Sequence, residues 1–251
     1  MVVNGSDVYV SLRYRLGPND LESQQGYWKN GIWTSLTTGH SNYVLSGNSF
    51  AQVQSLLVVG SDVFLTESFM VCSTPNTCSD DGAGYWKNQT WTALSSPVNP
   101  TFFAGSIYHA SSGLYILGSS YSSAHGNDFG YWKDGVWSLI DDSSPADPSV
   151  WSGSTLAVSG TDVFSSIASN AKGFGYWKNS TWMPIAVTGV TSGATILSGN
   201  GMAVKRAEVY VAGTVFQAGK WFAGYGTGQV WKTLSQSDPT LQAVAQVIAV
   251  K

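Results

Sequence analysis

Apolar residues along this chain gather into short runs, rich in β-branched and aromatic side chains and bounded by Gly, Asn, Asp or Ser. Ser55 to Val59 and Ser154 to Val158 are largely apolar stretches, whereas Asp7-Val8-Tyr9-Val10 and Asp62-Val63-Phe64-Leu65 open on an acid that follows a Gly-Ser pair. Short runs with turn residues at both ends are the signature of strands joined in hairpins. No segment predicts a helix longer than a turn or two.

The runs recur in a fixed order. Gly26-Tyr27-Trp28-Lys29-Asn30-Gly31-Ile32-Trp33 returns as Gly84-Tyr85-Trp86-Lys87-Asn88-Gln89-Thr90-Trp91 and as Gly130-Tyr131-Trp132-Lys133-Asp134-Gly135-Val136-Trp137. It returns again as Gly175-Tyr176-Trp177-Lys178-Asn179-Ser180-Thr181-Trp182, and a fifth copy, Gly224-Tyr225-Gly226-Thr227-Gly228-Gln229-Val230-Trp231, keeps only the glycine, the tyrosine and the last tryptophan. The first Trp recurs at intervals of 58, 46 and 45 residues. Ahead of each copy stands an Asp-Val-Tyr type segment: Asp7, Asp62 and Asp162 lead it in three units, with Gly113-Leu114-Tyr115 and Glu208-Val209-Tyr210 in the others.

Each unit therefore predicts four strands: an apolar strand A, the Asp-Val-Tyr strand B, the Tyr-Trp-Lys strand C, and a strand D that starts at the second Trp. Tight Gly-Ser-Asp and Asn-Gly type turns link A to B and C to D, as two-residue hairpins demand. The B-to-C and D-to-A links then gather at the opposite end, as long loops that differ between units. Repetition at this period means a propeller, a solenoid or an array. A linear solenoid needs polar end caps, which are not visible here, so the expected fold is all-β: a five-bladed β-propeller of four-stranded antiparallel blades. The expected domain is 1–251, with repeat units at about 1–46, 47–98, 99–145, 146–190 and 191–251. Ala245 to Val250 aligns with the strand A run Gln52 to Val58, so the C-terminal strand is expected to complete the first blade and close the ring, in competition with Val2-Val3.

The repeated motif resembles β-propeller repeat proteins, especially bacterial surface or secreted chains with many Tyr-Trp-Lys-Asn-Gly-x-Trp units. The resemblance covers nearly the whole chain and implies a fold rather than an activity.

Composition narrows the function classes. Only 11% of the 251 residues are charged and the net charge is −3, with no basic cluster beyond Lys205-Arg206 and the Arg13/Arg15 pair. That leaves no electrostatic footprint for nucleic acid. No apolar stretch reaches the length of a membrane span, and the N-terminus carries no signal peptide pattern. The two cysteines, Cys72 and Cys78, make a poor zinc site; they form a candidate loop-closing disulfide, with two free thiols as the alternative. A disulfide favours an oxidising compartment and an extracellular or cell-surface location.

Repetition makes Trp28, Trp86, Trp132 and Trp177 packing residues first. Lys29, Lys87, Lys133 and Lys178 are expected to lay their stems across aromatics with the ammonium reaching water or a backbone carbonyl. Asp7, Asp62 and Asp162 are expected to bond the N–H groups of their own turns. His40, His109 and His125 show no metal-site spacing, so no metal and no cofactor is expected. The sequons at Asn4, Asn88 and Asn179 coincide with turn motifs. A glycosidase mechanism needs facing carboxylates, yet Gln52 to Val59, Phe103 to Ala110, Val150 to Val158 and Ala243 to Val250 hold no acid. The acids are placed in loops instead: Asp20/Glu22, Glu67, Asp80/Asp81, Asp128 and Asp141/Asp142.

The expected function is non-enzymatic binding of a glycan or protein through the variable-loop face. The alternatives are a spacer within a larger adhesin and a glycosidase-like enzyme. Candidate ligand contacts are Trp151, Trp221, Tyr43, Phe102, Tyr121 and Phe129, read as exposed loop aromatics beside polar groups; Trp151 and Trp221 lead because each lies outside the repeated motif.

Overall fold

Each repeat folds as one sheet. The computed structural model describes residues 1–15, 23–36, 50–74, 77–95, 101–122, 126–143, 155–166, 174–186, 195–217, 219–228 and 230–234, and every regular element among them is a strand. The first repeat supplies β1 (Val2–Asn4), β2 (Asp7–Arg15), β3 (Ser23–Lys29) and β4 (Ile32–Ser35); the second supplies β5 (Phe50–Val59), β6 (Asp62–Thr74), β7 (Thr77–Lys87) and β8 (Thr90–Ala93). The third supplies β9 (Thr101–Ala110), β10 (Gly113–Ser122), β11 (Gly126–Lys133) and β12 (Val136–Ser143). The fourth supplies β13 (Leu156–Ser159), β14 (Asp162–Ser165), β15 (Gly175–Lys178) and β16 (Thr181–Pro184), and the fifth β17 (Thr195–Lys205), β18 (Glu208–Gln217), β19 (Lys220–Thr227) and β20 (Val230–Thr233).

Within every sheet the four strands lie in chain order. The fold is the expected one: all-β, with five four-stranded antiparallel blades of the β-propeller class. At the N-terminus Val2 and Val3 hold the strand A place of the first blade, opposite Tyr9 and Val8. The C-terminal strand expected over 243–250 lies outside the described residues.

The chain divides into two compact units, Met1–Asp142 with three blades and Ser143–Lys251 with two. In the first unit, Tyr9, Tyr27 and Leu36 of blade one pack with Val63, Leu65 and Trp86 of blade two. The same arrangement repeats one blade on, where Phe64, Ala83 and Leu94 meet Ile116 and Trp132. Strand alternation explains both seams: Trp points to the preceding blade and Tyr to the following one. In the second unit Phe164, Phe174 and Ile185 pack with Val209, Val211, Val215 and Trp231.

The motif glycine is fixed by the second Trp. At Gly130 an added Cβ would fall well inside contact with the Ser138 carbonyl and 2.5 Å from the Trp137 ring, and the same is true at Gly26, Gly84, Gly175 and Gly224 with Trp33, Trp91, Trp182 and Trp231. The second Trp also meets the first: their ring centroids are 5.2 Å apart at Trp86–Trp91 and 4.5 Å at Trp132–Trp137. Trp86, Trp132 and Trp177 are buried, as packing requires; Trp28 is the exception at 37% exposed. In blade five Gly226 replaces the first Trp, and Ile185 and Phe174 lie against it.

The turn motif is a closed knot between the A–B and C–D hairpins. Asn30, Asn88 and Asn179 adopt positive φ, which Asn tolerates. Their Oδ1 atoms accept from the N–H of Val8, Val63 and Val163 at 2.8, 3.0 and 2.9 Å, while their Nδ2 atoms donate to Asp7, Asp62 and Asp162. The same carboxylates take Lys29, Lys87 and Lys178 at 2.9, 2.9 and 2.8 Å, and each ammonium sits over the ring of Tyr9, Phe64 or Phe164. This corrects the expected roles: the Asp residues serve the neighbouring hairpin, and the Lys ammonium goes to Asp and a ring face. The amides of Asn88 and Asn179 are taken up in these knots.

The two irregular units rebuild the knot. In blade three the carboxylate moves to Asp134, whose Oδ1 accepts from Leu114 N–H at 2.9 Å, and a Cβ on Gly113 would overlap that side chain. In blade five Glu208 accepts from the hydroxyls of Thr227 and Tyr210, both at 2.7 Å.

The knots make a pH test. Hydrogen bonds from Lys and then Asn hold Asp7, Asp62 and Asp162 below the ordinary carboxylate value. Their contribution is therefore present above the unfolded carboxylate range and is lost as pH falls through the depressed folded values. These pairs are exposed and individually weak. The urea midpoint, followed from about pH 5 to about pH 2, should fall less steeply in the triple variant Asp7→Asn, Asp62→Asn, Asp162→Asn than in the parent; parallel curves would remove the knots from the account.

Candidate binding site

Among the described residues, the B-to-C links of blades two, three and five are built largely from strand, where the sequence predicted long loops. In blades two, three and five the B and C strands continue outward as hairpins: β6–β7 pairs as far as Thr74 and Thr77, β10–β11 as far as Ser122 and Gly126, and β18–β19 as far as Gln217 and Lys220. At the tip of the last of these, Gly219 takes φ 78°. Cross-strand pairing carries the polar and small residues of these segments into the ladder although their own propensity is modest.

Strand placement changes the standing of the candidate contacts. Phe102 lies on β9 and Phe129 on β11, and both are buried. Phe102 packs on Trp132 with ring centroids 5.7 Å apart. These two rings serve the core and are withdrawn as exposed ligand platforms; Phe174 is likewise buried, against Trp231 at 5.1 Å, edge-on. Tyr121 is on β10 opposite Asn127 and Thr101, one residue from the end of the strand. Tyr43 and Trp151 lie outside the described residues.

Trp221, the leading candidate, lies on β19. It stands one residue inside the β18–β19 tip, paired with Phe216, and the two rings meet at 4.6 Å with an interplanar angle of 46°. Both are half-buried, and Lys220 beside them is exposed. Phe216 escaped the sequence reading, although the Phe-Gln-Ala-Gly-Lys-Trp run, a Gly-containing two-residue turn between aromatics, carries the hairpin signal.

Six acids assigned to loops are strand residues, Glu67 on β6, Asp80 and Asp81 on β7, Asp128 on β11, and Asp141 and Asp142 on β12, while Asp20 and Glu22 lie outside the described residues. Glu67 on β6 and Asp128 on β11 are both buried. Trp86 Nε1 donates to Glu67 Oε2 at 2.5 Å. Burial pushes the Glu67 carboxyl above its ordinary value, against the opposing effect of hydrogen bonds from Trp86 and Gln25. Among the described residues no group of three His, Cys, Asp or Glu side chains could hold a metal ion.

No family model matches this chain, and no curated protein matches it. Among solved structures it is similar to the lectin SapL1 in complex with alpha methyl fucoside, at 12% identity and a TM-score of 0.47, over 93% of this chain and 77% of that one. It is also similar to a mutant of AofleA from Arthrobotrys oligospora, at 16% identity and TM-score 0.44 over 92% and 70% of the two chains. A third likeness is the GH32 β-fructofuranosidase BmSUC1 of Bombyx mori, at 10% and 0.43, of which this chain spans 61% while 94% of this chain is covered.

Cys72 and Cys78 face one another in the β6–β7 register. Opposed residues of an antiparallel pair have Cα atoms about 4.5 or 5.5 Å apart, within the roughly 4.4–6.8 Å that a disulfide spans. The expected outcome is that the chain, treated with oxidised glutathione and then denatured without reductant, takes up no thiol reagent. Full labelling of both cysteines would contradict the pairing.

Proposed function

We propose that this protein is a non-enzymatic binding module whose ligand is a glycan, engaged at the hairpin end of the blades with Trp221 as the platform. The observation that carries this reading is the Phe216–Trp221 pair at the β18–β19 tip. A cross-strand partner fixes the plane of the indole, so little side-chain entropy is lost when a ligand lies on it. An aromatic plane beside a polar group matches a ring that has one apolar face and a hydroxylated rim. Lys220 supplies the charged neighbour.

Position supports the same reading. Trp221 belongs to no copy of the repeated motif, and the motif residues are engaged in seams and knots. A binding role therefore falls to residues that differ between repeats, as is usual where a rigid scaffold carries a variable end.

Glycan-array screening tests the proposal, followed by titration of the best glycan. Trp221→Ala should weaken binding by about tenfold or more, the effect of losing a central aromatic contact, with the thermal midpoint little changed. Absence of any bound glycan, or equal affinity of the parent and Trp221→Ala, would overturn it.

A further inference from the structure

We propose that Asn4–Gly5 is a site of spontaneous deamidation, and that the knot of blade one withholds the same chemistry from Asn30–Gly31. An Asn followed by Gly is prone to react with its own backbone, because glycine places no side chain in the way of its nitrogen. That nitrogen attacks the Asn Cγ and forms a five-membered succinimide as the Cγ–Nδ2 bond breaks and ammonia leaves with the amide proton. Water then opens the ring at one of its two carbonyls, giving aspartate or isoaspartate. Water is the one reagent consumed.

The two pairs share a sequence and differ in what holds the amide. Asn4 ends β1, half-buried, and Gly5 follows it exposed in the A–B turn at φ 61°. Among the described residues the Asn4 amide is held through Nδ2 alone, which donates to the Gly60 carbonyl of blade two at 2.8 Å, on an exposed face. Asn30 stands in the C–D turn ahead of Gly31. Its Oδ1 accepts from Val8 N–H at 2.8 Å and its Nδ2 donates to Asp7 Oδ1 at 2.7 Å. Both amide atoms must therefore leave β2 before Cγ can turn to the Gly31 nitrogen, and the bond to the Asp7 carboxylate is charge-assisted and the stronger for it. A third such pair, Asn200–Gly201, lies within β17.

The A–B turn itself does not call for an amide at this place. Ahead of Gly60-Ser61-Asp62 and Gly160-Thr161-Asp162 the equivalent residues are Val59 and Ser159. In blade one the Asn ties its own turn to that of blade two, and conversion replaces the donor by a carboxylate oxygen facing the Gly60 carbonyl. Two acceptors then meet without a proton between them, so the reaction releases a contact between the first two blades.

The full chain, held at mildly alkaline pH in buffer and in urea, tests this by peptide mapping with mass spectrometry, each asparagine being followed with time. In the folded chain Asn4 should convert severalfold faster than Asn30, and in urea the two rates should converge. Asn4 converting no faster than Asn30 in the folded chain would overturn the proposal, as would an equal excess of Asn4 in urea, which would assign the order to local sequence. Asn4→Asp, which imitates the product, should lower the urea midpoint at neutral pH; an unchanged midpoint would remove the release of the blade contact.

Discussion

A tryptophan ring laid over a glycine seven residues earlier is the contact on which every blade depends. It is present in all five sheets, from Trp33 over Gly26 to Trp231 over Gly224. Blade five shows its rank, because there the first Trp, the Lys and the Asn of the motif are all replaced and this contact is kept. The geometry leaves no room for a Cβ, since strand D passes its carbonyl as close to the glycine as the indole. The contact sets the approach of strands C and D. The second Trp in turn supports the first, which enters the seam with the preceding blade.

From that constraint the remaining parts follow by local chemistry. The short C–D hairpin forces positive φ on its first residue, which Asn accepts. Its amide is then placed to bridge the start of strand B, and the Asp there collects Asn and Lys. Where one member changes, another compensates: Gly113 with Asp134, and Glu208 with Thr227. Such paired changes within one chain indicate a structural unit, and they leave the opposite, hairpin end of the blades to vary.

Much of this was legible in the sequence, since turn residues and repeated aromatics report local geometry. The five units, their four strands and the packing of Trp86, Trp132 and Trp177 follow from period and alternation. The hairpin end was misread because segments such as Thr66-Glu67-Ser68 and Gly213-Thr214 lack apolar alternation; they are strand because a partner strand pairs with them. The same error exposed Phe102 and Phe129 on paper, whereas their strands turn them into the core. Long-range partners were beyond any local pattern: the Asp–Lys–Asn knot joins residues more than fifteen positions apart, and the hydrogen bond from Trp132 Nε1 to the Ser95 carbonyl joins two blades.

The scaffold account is tested most directly by the urea midpoint of Gly130→Ala against Gly105→Ala. The first puts a methyl group into the Trp137 ring and the Ser138 carbonyl; the second, in the same sheet, meets only the Leu117 carbonyl at 3.4 Å. The account requires Gly130→Ala to lose about 1–3 kcal/mol or more, with Gly105→Ala losing clearly less. Equal midpoints for the two variants would contradict it.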